Sequence, residues 1–221
     1  MKKQFISLFF LLIFICSVKS FFAQTVGTNP FAAMPFRFIG PDGNRAIAVV
    51  GEPGNPMVSY VGAASGGIWK TTDGGVHWKP IFDQMDNSSI GALAISKSNP
   101  QQIWAGTGET FVIRPAHANG NGVYKSSDGG KTWVNKGLKE TVLISKVIVD
   151  PTDTNTIYVA AMGHMHGPQE ERGVYKTTDG GQHWERILFV DAHTGCSDLS
   201  LNEKDPKNLV AAMWQVDRKS T

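Results

Sequence analysis

A string of twelve residues occurs three times in this chain of 221. The first copy is Gly67-Ile68-Trp69-Lys70-Thr71-Thr72-Asp73-Gly74-Gly75-Val76-His77-Trp78. The second runs from Gly122 to Trp133 and the third from Gly173 to Trp184, with nearly the same residues. The aspartates Asp73, Asp128 and Asp179 stand 55 and then 51 residues apart. Internal similarity at a spacing of about 50 residues marks stacked structural repeats, and it constrains the fold more than any local propensity does.

Each copy reads Ser/Thr-x-Asp-x-Gly-x-x-Trp. The positions are Thr71, Asp73, Gly75 and Trp78; Ser126, Asp128, Gly130 and Trp133; and Thr177, Asp179, Gly181 and Trp184. A short strand bearing an aromatic residue enters a tight turn, and the chain re-emerges at a tryptophan. Asp and Ser/Thr side chains close such turns by accepting hydrogen bonds from nearby backbone N–H groups. The glycine pair supplies positive φ at little steric cost. The tryptophan is expected to pin the returning strand into the core. These residues resemble the Asp-box of the bacterial neuraminidase repeat, found in sialidases, sortilin-type domains and xyloglucanase-like propellers. The resemblance implies that the three aspartates are structural and remote from any active site.

Between the copies, a cycle of four short strands can be laid over itself. First strands are expected at Ala46 to Val50, Ile90 to Ile95, Ser145 to Val149 and Leu199 to Leu201. Turns at Asn55-Pro56, Asn99-Pro100, Asp150-Pro151 and Asp205-Pro206 lead to second strands at 58–61, 102–105, 156–160 and 208–212. Third strands enter the repeated turn, and fourth strands leave it at 77–82, 132–134 and 183–189. Short strands in this rhythm, with Gly/Pro turns, predict an all-β fold, a β-propeller of four-stranded blades with Asp-box hairpins. The blades fall at about 45–83, 90–135 and 143–189, with a partial fourth at 197–214. A β-helix has a much shorter repeat, and a sandwich does not repeat its turns so faithfully. Three and a half blades make an incomplete ring, so further blades are expected beyond the C-terminal end.

Ahead of the blades, Lys2-Lys3 and the apolar run Phe5 to Val18 read as a secretory signal peptide ending at Ser20 or Ala23. The run falls short of the ~20 residues a membrane span needs. Residues 24–35 form a polar leader, and Phe36 to Ile39 a short strand. The expected location is secreted, periplasmic or cell-surface. A net charge of +2 is too balanced to imply a nucleic-acid partner. Cys16 lies in the signal, which leaves Cys196 alone in the mature part, and burial is its expected state.

Propeller ligand sites gather on the face opposite the Asp-boxes, by analogy with the family. There the loops between second and third strands differ. The first is only Ala63-Ala64-Ser65. The second spans 107–121 and the third 163–172. Both long loops mix carboxylates, Arg and His, the residue types that do acid–base work or grip polar ligands. Glu109 and Glu170 are the candidate catalytic carboxylates, and Arg114, His117, His164, His166 and Arg172 the candidate ligand-binding residues. The bland alternative is that they are solvated loop residues or pair across blades. His164-x-His166 could supply two metal ligands, but no third stands at suitable spacing, so neither metal nor cofactor is expected. Arg37 and Arg45 resemble the arginine that precedes the first Asp-box of sialidases, although Arg37 reads better as a strand residue.

From Phe36 onward, the segments Gly62 to Gly75, Ala105 to Glu109 and Ala160 to His164 resemble a large exported bacterial group with neuraminidase-type repeats, sortilin-like or glycosyl-hydrolase-like. Xyloglucanases of related fold carry a catalytic Asp in the segment matching Ala63-Ala64-Ser65-Gly66-Gly67, where this chain has no carboxylate. Two readings follow. One is a module binding glycan, peptide or protein on its loop face. The other is a glycoside hydrolase using paired carboxylates roughly 5–10 Å apart.

Overall fold

The computed structural model describes residues 45–110 and 118–215. The expected signal and leader, the expected strand at Phe36 to Ile39 with Arg37, and the candidates Arg114 and His117 lie outside the described residues. Within them stand three four-stranded antiparallel sheets and one two-stranded sheet. The first holds β1 (Ala46–Glu52), β2 (Asn55–Ala63), β3 (Ile68–Thr71) and β4 (Lys79–Pro80). The second holds β5 (Ile90–Ile95), β6 (Ile103–Thr107), β7 (Val123–Ser126) and β8 (Val134–Asn135). The third holds β9 (Ile144–Val149), β10 (Ile157–Ala161), β11 (Gly173–Thr177) and β12 (Glu185–Leu188). The fourth pairs β13 (Thr194–Leu201) with β14 (Leu209–Gln215). Every sheet is a simple meander, each strand bonded to its neighbour in the chain.

Three expectations about boundaries give way. The turn placed at Asn55-Pro56 lies two residues earlier. Glu52 pairs with Asn55 across Pro53-Gly54, and Gly54 takes the positive φ that so tight a hairpin needs. The fourth strands are shorter than expected, because each repeated turn spends its last residues wrapping the aspartate before pairing resumes beyond the tryptophan. The first strand of the fourth sheet is longer, opening at Thr194 rather than Leu199.

The repeated turns close through their own side chains. Asp73 Oδ1 accepts the N–H groups of Val76 and His77 at 3.0 and 2.9 Å, and the Thr71 hydroxyl donates to the same oxygen at 2.9 Å. Thr71 Oγ1 in turn accepts the Gly75 N–H at 2.9 Å. Asp128 with Ser126, and Asp179 with Thr177, repeat these bonds. This wrapping holds all three carboxyls below the ordinary value of 3.8. The largest cause is the His77 N–H for Asp73, the Thr132 hydroxyl for Asp128, at about 2, and the His183 N–H for Asp179.

Apolar side chains are buried between sheets. One cluster joins Tyr60, Ile68 and Phe82 of the first sheet to Ile90, Leu93, Tyr124 and Trp133 of the second. Another joins Trp104 and Val123 to Ile144, Val147 and Val159 of the third. A third joins Tyr158, Ala160 and Val174 to Cys196 and Leu199 of the fourth. Two of the tryptophans also anchor the sheet before their own. Trp133 Nε1 donates to the Ile81 carbonyl at 2.8 Å and Trp184 Nε1 to the Lys136 carbonyl at 2.7 Å. Trp78 turns back to the Gly75 carbonyl at 3.2 Å. Cys196 is buried and free, as expected. No helix among the described residues is long and apolar enough to cross a membrane.

Candidate functional site

The first strands of successive sheets lie side by side, β1 against β5, β5 against β9 and β9 against β13. Each carries one unpaired residue near its start. Pairing jumps from Ala46 to Ala48, from Ile90 to Ala92, from Ile144 to Lys146 and from Cys196 to Asp198. The skipped residues are Ile47, Gly91, Ser145 and Ser197. A bulge of this kind kinks its strand and re-aims a side chain, and bulges are enriched beside functional sites.

Three of the four skipped residues line one pocket. Arg45, Ala46, Ile47, Gly91, Thr110 and Ser145 enclose about 420 Å³. Its floor is tight. A Cβ on Gly91 would meet the carbonyl oxygens of Gly108 and Ile144 at 2.4 Å each. Ser145 Oγ donates to the Cys196 carbonyl at 2.7 Å, tying the third bulge to the fourth first strand. Arg45 Nη2 donates to Glu109 Oε1 in a salt bridge between the first and second sheets. Glu109 is 1% exposed, while the Arg45 side chain keeps 32% of its surface. The carboxylate is therefore buried against a partly exposed arginine side chain.

The loop that carries Glu109 is cinched at its neck, where the Glu109 N–H donates to the Ala118 carbonyl at 2.8 Å. Gly120 N–H reaches the Val142 carbonyl at 2.8 Å. Val142 and Leu138, on either side of the short 3₁₀ turn Lys139–Thr141, both adopt positive φ, 60° and 55°. A β-branched residue in that region is strained, and such strain gathers at functional sites.

The other long loop is built around Arg172, which is fully buried. Its guanidinium donates to the carbonyls of Ala192 at 2.8 Å, His164 at 2.8 Å and Gly167 at 3.1 Å, and to that of Met162. Arg172 thus holds the loop's shape from inside. The His164 N–H donates to Gln169 Oε1 at 2.6 Å. Burial, then the nearby Arg172 charge, push the His164 imidazole below its ordinary 6.5, which favours the neutral ring. His166 and Glu170 are exposed, and the Glu170 carbonyl accepts from Arg186. Glu109 and Glu170 thus occupy contrasting settings, one sealed by an arginine and one open to water. Among the described residues no group of three His, Cys, Asp or Glu side chains is placed to hold a metal ion.

No family model matches the chain. A probable oligoxyloglucan-reducing end-specific xyloglucanase of Neosartorya fischeri is 36% identical over 100 residues, 43% of this chain and 10% of that protein. Xyloglucanase Xgh74A of Acetivibrio thermocellus is 20% identical across 94% of this chain and 25% of its own length. Among solved structures, an ancestral GH74 enzyme superposes with a TM-score of 0.60 at 26% identity, over 82% of this chain and 23% of that one. The GH74 enzyme of Niastella koreensis superposes with a TM-score of 0.56 at 23% identity, over 74% and 24%. The chain folds as blades of a β-propeller.

In propeller terms the first strands are the inner strands of the blades, and the pocket with Arg45 sits where three of them begin. The chain spans between a tenth and a quarter of the length of the relatives it matches. Sequence reasoning named Glu109 but missed Ser145, Thr110 and Gly91. Their signal was available only after the first strands were aligned, where Ile47, Gly91, Ser145 and Ser197 fall at one position of the repeat.

Proposed function

We propose that these blades form part of a secreted glycoside hydrolase of the propeller type, and that the pocket lined by Arg45 holds a segment of glycan. The observation that carries this reading is the convergence of three bulged inner-strand residues with the partly exposed Arg45 side chain in one pocket. Sugars are recognised by hydroxyl, amide and charged groups that accept and donate around a ring of OH groups. Arg45, Thr110 and Ser145 supply them, with Glu109 fixing the Arg45 fork. Likeness to xyloglucanases and GH74 enzymes supports a plant-type polysaccharide as the substrate class. In this proposal Glu170 and Glu109 are the carboxylates to test, Glu170 as the group reachable by substrate and Glu109 as the one that must lose its arginine to act. His164, His166, Arg114 and His117 would complete the rim from the two long loops.

One observation favours the second reading, a binding module without catalysis. The segment Ala63 to Gly67 carries no carboxylate, and Ala63 and Ala64 are buried. The deciding experiment incubates the protein with xyloglucan and a panel of other polysaccharides, with released oligosaccharides read by mass spectrometry. Products that disappear in Glu170→Gln or Glu109→Gln establish hydrolysis. Retention of glycan on the immobilised protein without products, lost in Arg45→Ala, would instead establish the binding module. Neither products nor retention would sink both.

A further inference from the structure

The three repeated turns carry different residues at two exposed positions. Four residues beyond the aspartate stand His77, Thr132 and His183, and six beyond it stand Lys79, Val134 and Glu185. The second of these positions lies on the fourth strand of each sheet, directly across from a lysine on the third. In the third sheet that pair is Lys176 with Glu185, and in the second it is Lys125 with Val134. In the first it is Lys70 with Lys79, two cations facing each other. Like charges directly opposite on a sheet face repel, so this pair costs stability unless something negative lies between them.

Lys70 is held where it stands. Its Nζ donates to the Gly129 carbonyl of the second turn at 2.9 Å and lies 5.1 Å from the centre of the Tyr60 ring. That bond takes one of the ammonium's three donors. Lys70, Thr72, Asp73, His77, Lys79 and Ile81 line a pocket of about 340 Å³, within the range of small-ligand sites. The second sheet packs against this same flank, where a Cβ on Gly130 would strike Ile81 Cδ1 at 2.5 Å. Asp73 does not meet the pocket with a bare carboxylate. Its Oδ1 accepts from Val76, His77 and Thr71, and its Oδ2 faces His77 Nδ1 at 2.6 Å.

We propose that this pocket binds a tetrahedral oxyanion, a phosphate or sulfate group, seated between the ammonium groups of Lys70 and Lys79. An anion there replaces a repulsion with charge-assisted hydrogen bonds, which are roughly twice as strong as neutral ones. Four oxygens around one centre suit donors that arrive from two strands and from Thr72 of the turn, whereas a flat carboxylate offers two oxygens. The group comes either as the free ion or as an ester on a sugar. The site shares no residue with the Arg45 pocket and does not rest on the hydrolase proposal. The other two turns have Val134 or Glu185 in place of the second lysine and lack it.

Equilibrium dialysis of the whole chain against radiolabelled inorganic phosphate, at constant ionic strength in sodium chloride, tests this. One phosphate per chain is expected, with a dissociation constant of about 1 mM or tighter. Lysine acylation read by mass spectrometry should show Lys79 protected by phosphate, with Lys125 and Lys176 unchanged. Lys79→Val and Lys79→Glu install the residue types that the second and third sheets carry at this position, so the fold is kept, and unaltered acylation of Lys125 and Lys176 verifies it. Both variants should weaken binding by at least about tenfold. Lys204→Glu, the same charge change between β13 and β14, should leave it intact. Glucose 6-phosphate and galactose 6-sulfate are then added as competitors. Displacement at a lower concentration than unlabelled phosphate requires identifies a sugar ester as the preferred form, and displacement only at a higher one identifies the free ion. Absence of saturable phosphate binding overturns the proposal. So does binding that survives both Lys79 variants, or that Lys204→Glu weakens equally.

Discussion

Arg172 has the chemistry of a ligand-binding residue and a different employment. Its donors reach the carbonyls of Met162, His164, Gly167 and Ala192 inside the loop. Arg172→Met is expected to lower the unfolding free energy by about 3 kcal/mol, since buried carbonyls lose charged donors. A urea midpoint unchanged by the substitution would mean that water replaces the guanidinium at no cost. The same change removes a positive charge beside His164, so the imidazole should titrate closer to its ordinary 6.5. Because the folded-state value is the depressed one, His164 favours the folded state at pH above 6.5, and that contribution falls away as the solution is acidified through it. Gly91 is a second single-residue test. Its Cβ has no room between two backbone oxygens, and Gly91→Ala should cost about 3 kcal/mol or prevent folding. Cys196, whose thiol burial pushes up to about 11, should react with iodoacetamide only after unfolding. Fast alkylation of the native protein would show the fourth sheet opening.

At the scale of the element, the repeated turns carry a pH prediction. The carboxyls of Asp73, Asp128 and Asp179 are lowered in the folded state from 3.8. The turns are therefore fully supported above about pH 4 and lose support as acid protonates the folded carboxyls, near pH 2 for Asp128. Carboxyl carbon titration by NMR checks this, and values near 3.8 would mean that the turn bonds do not persist in solution. These turns were also the most legible part of the sequence, because the side-chain bonds that wrap each aspartate are local, within four residues of it. Inner strands were legible for a similar reason, as apolar runs between Gly/Pro turns. The pocket lined by Arg45 was not. Ile47, Gly91 and Ser145 meet there through register slips between β1 and β2, β5 and β6, and β9 and β10, and a slip is a property of two strands together. The Arg45 to Glu109 pair, 64 residues apart in the chain, was hidden for the same reason.

For the whole molecule, stability resides between sheets. The three larger apolar clusters each draw on two successive sheets, and a smaller one, Leu143, Met162 and Met165, sits beside the third sheet alone. Val49 on the first sheet and Val210 and Trp214 on the fourth remain exposed, at 70%, 70% and 48%. Residues 24–221 alone are expected to self-associate through these ends, and Val210→Lys with Trp214→Ser should shift the population toward monomer in light scattering. A monomer at all concentrations would refute this. The tryptophan links also bear on descent. The second and third blades each bring an indole that reaches back, and the first and second each supply the carbonyl that the following blade uses. Copying one complete repeat in a gene therefore adds a unit whose two seams already match, whereas a duplication cut inside a repeat would strand an indole in a dry interface. Ring size can then change over evolutionary time in whole blades, with the seams inherited intact.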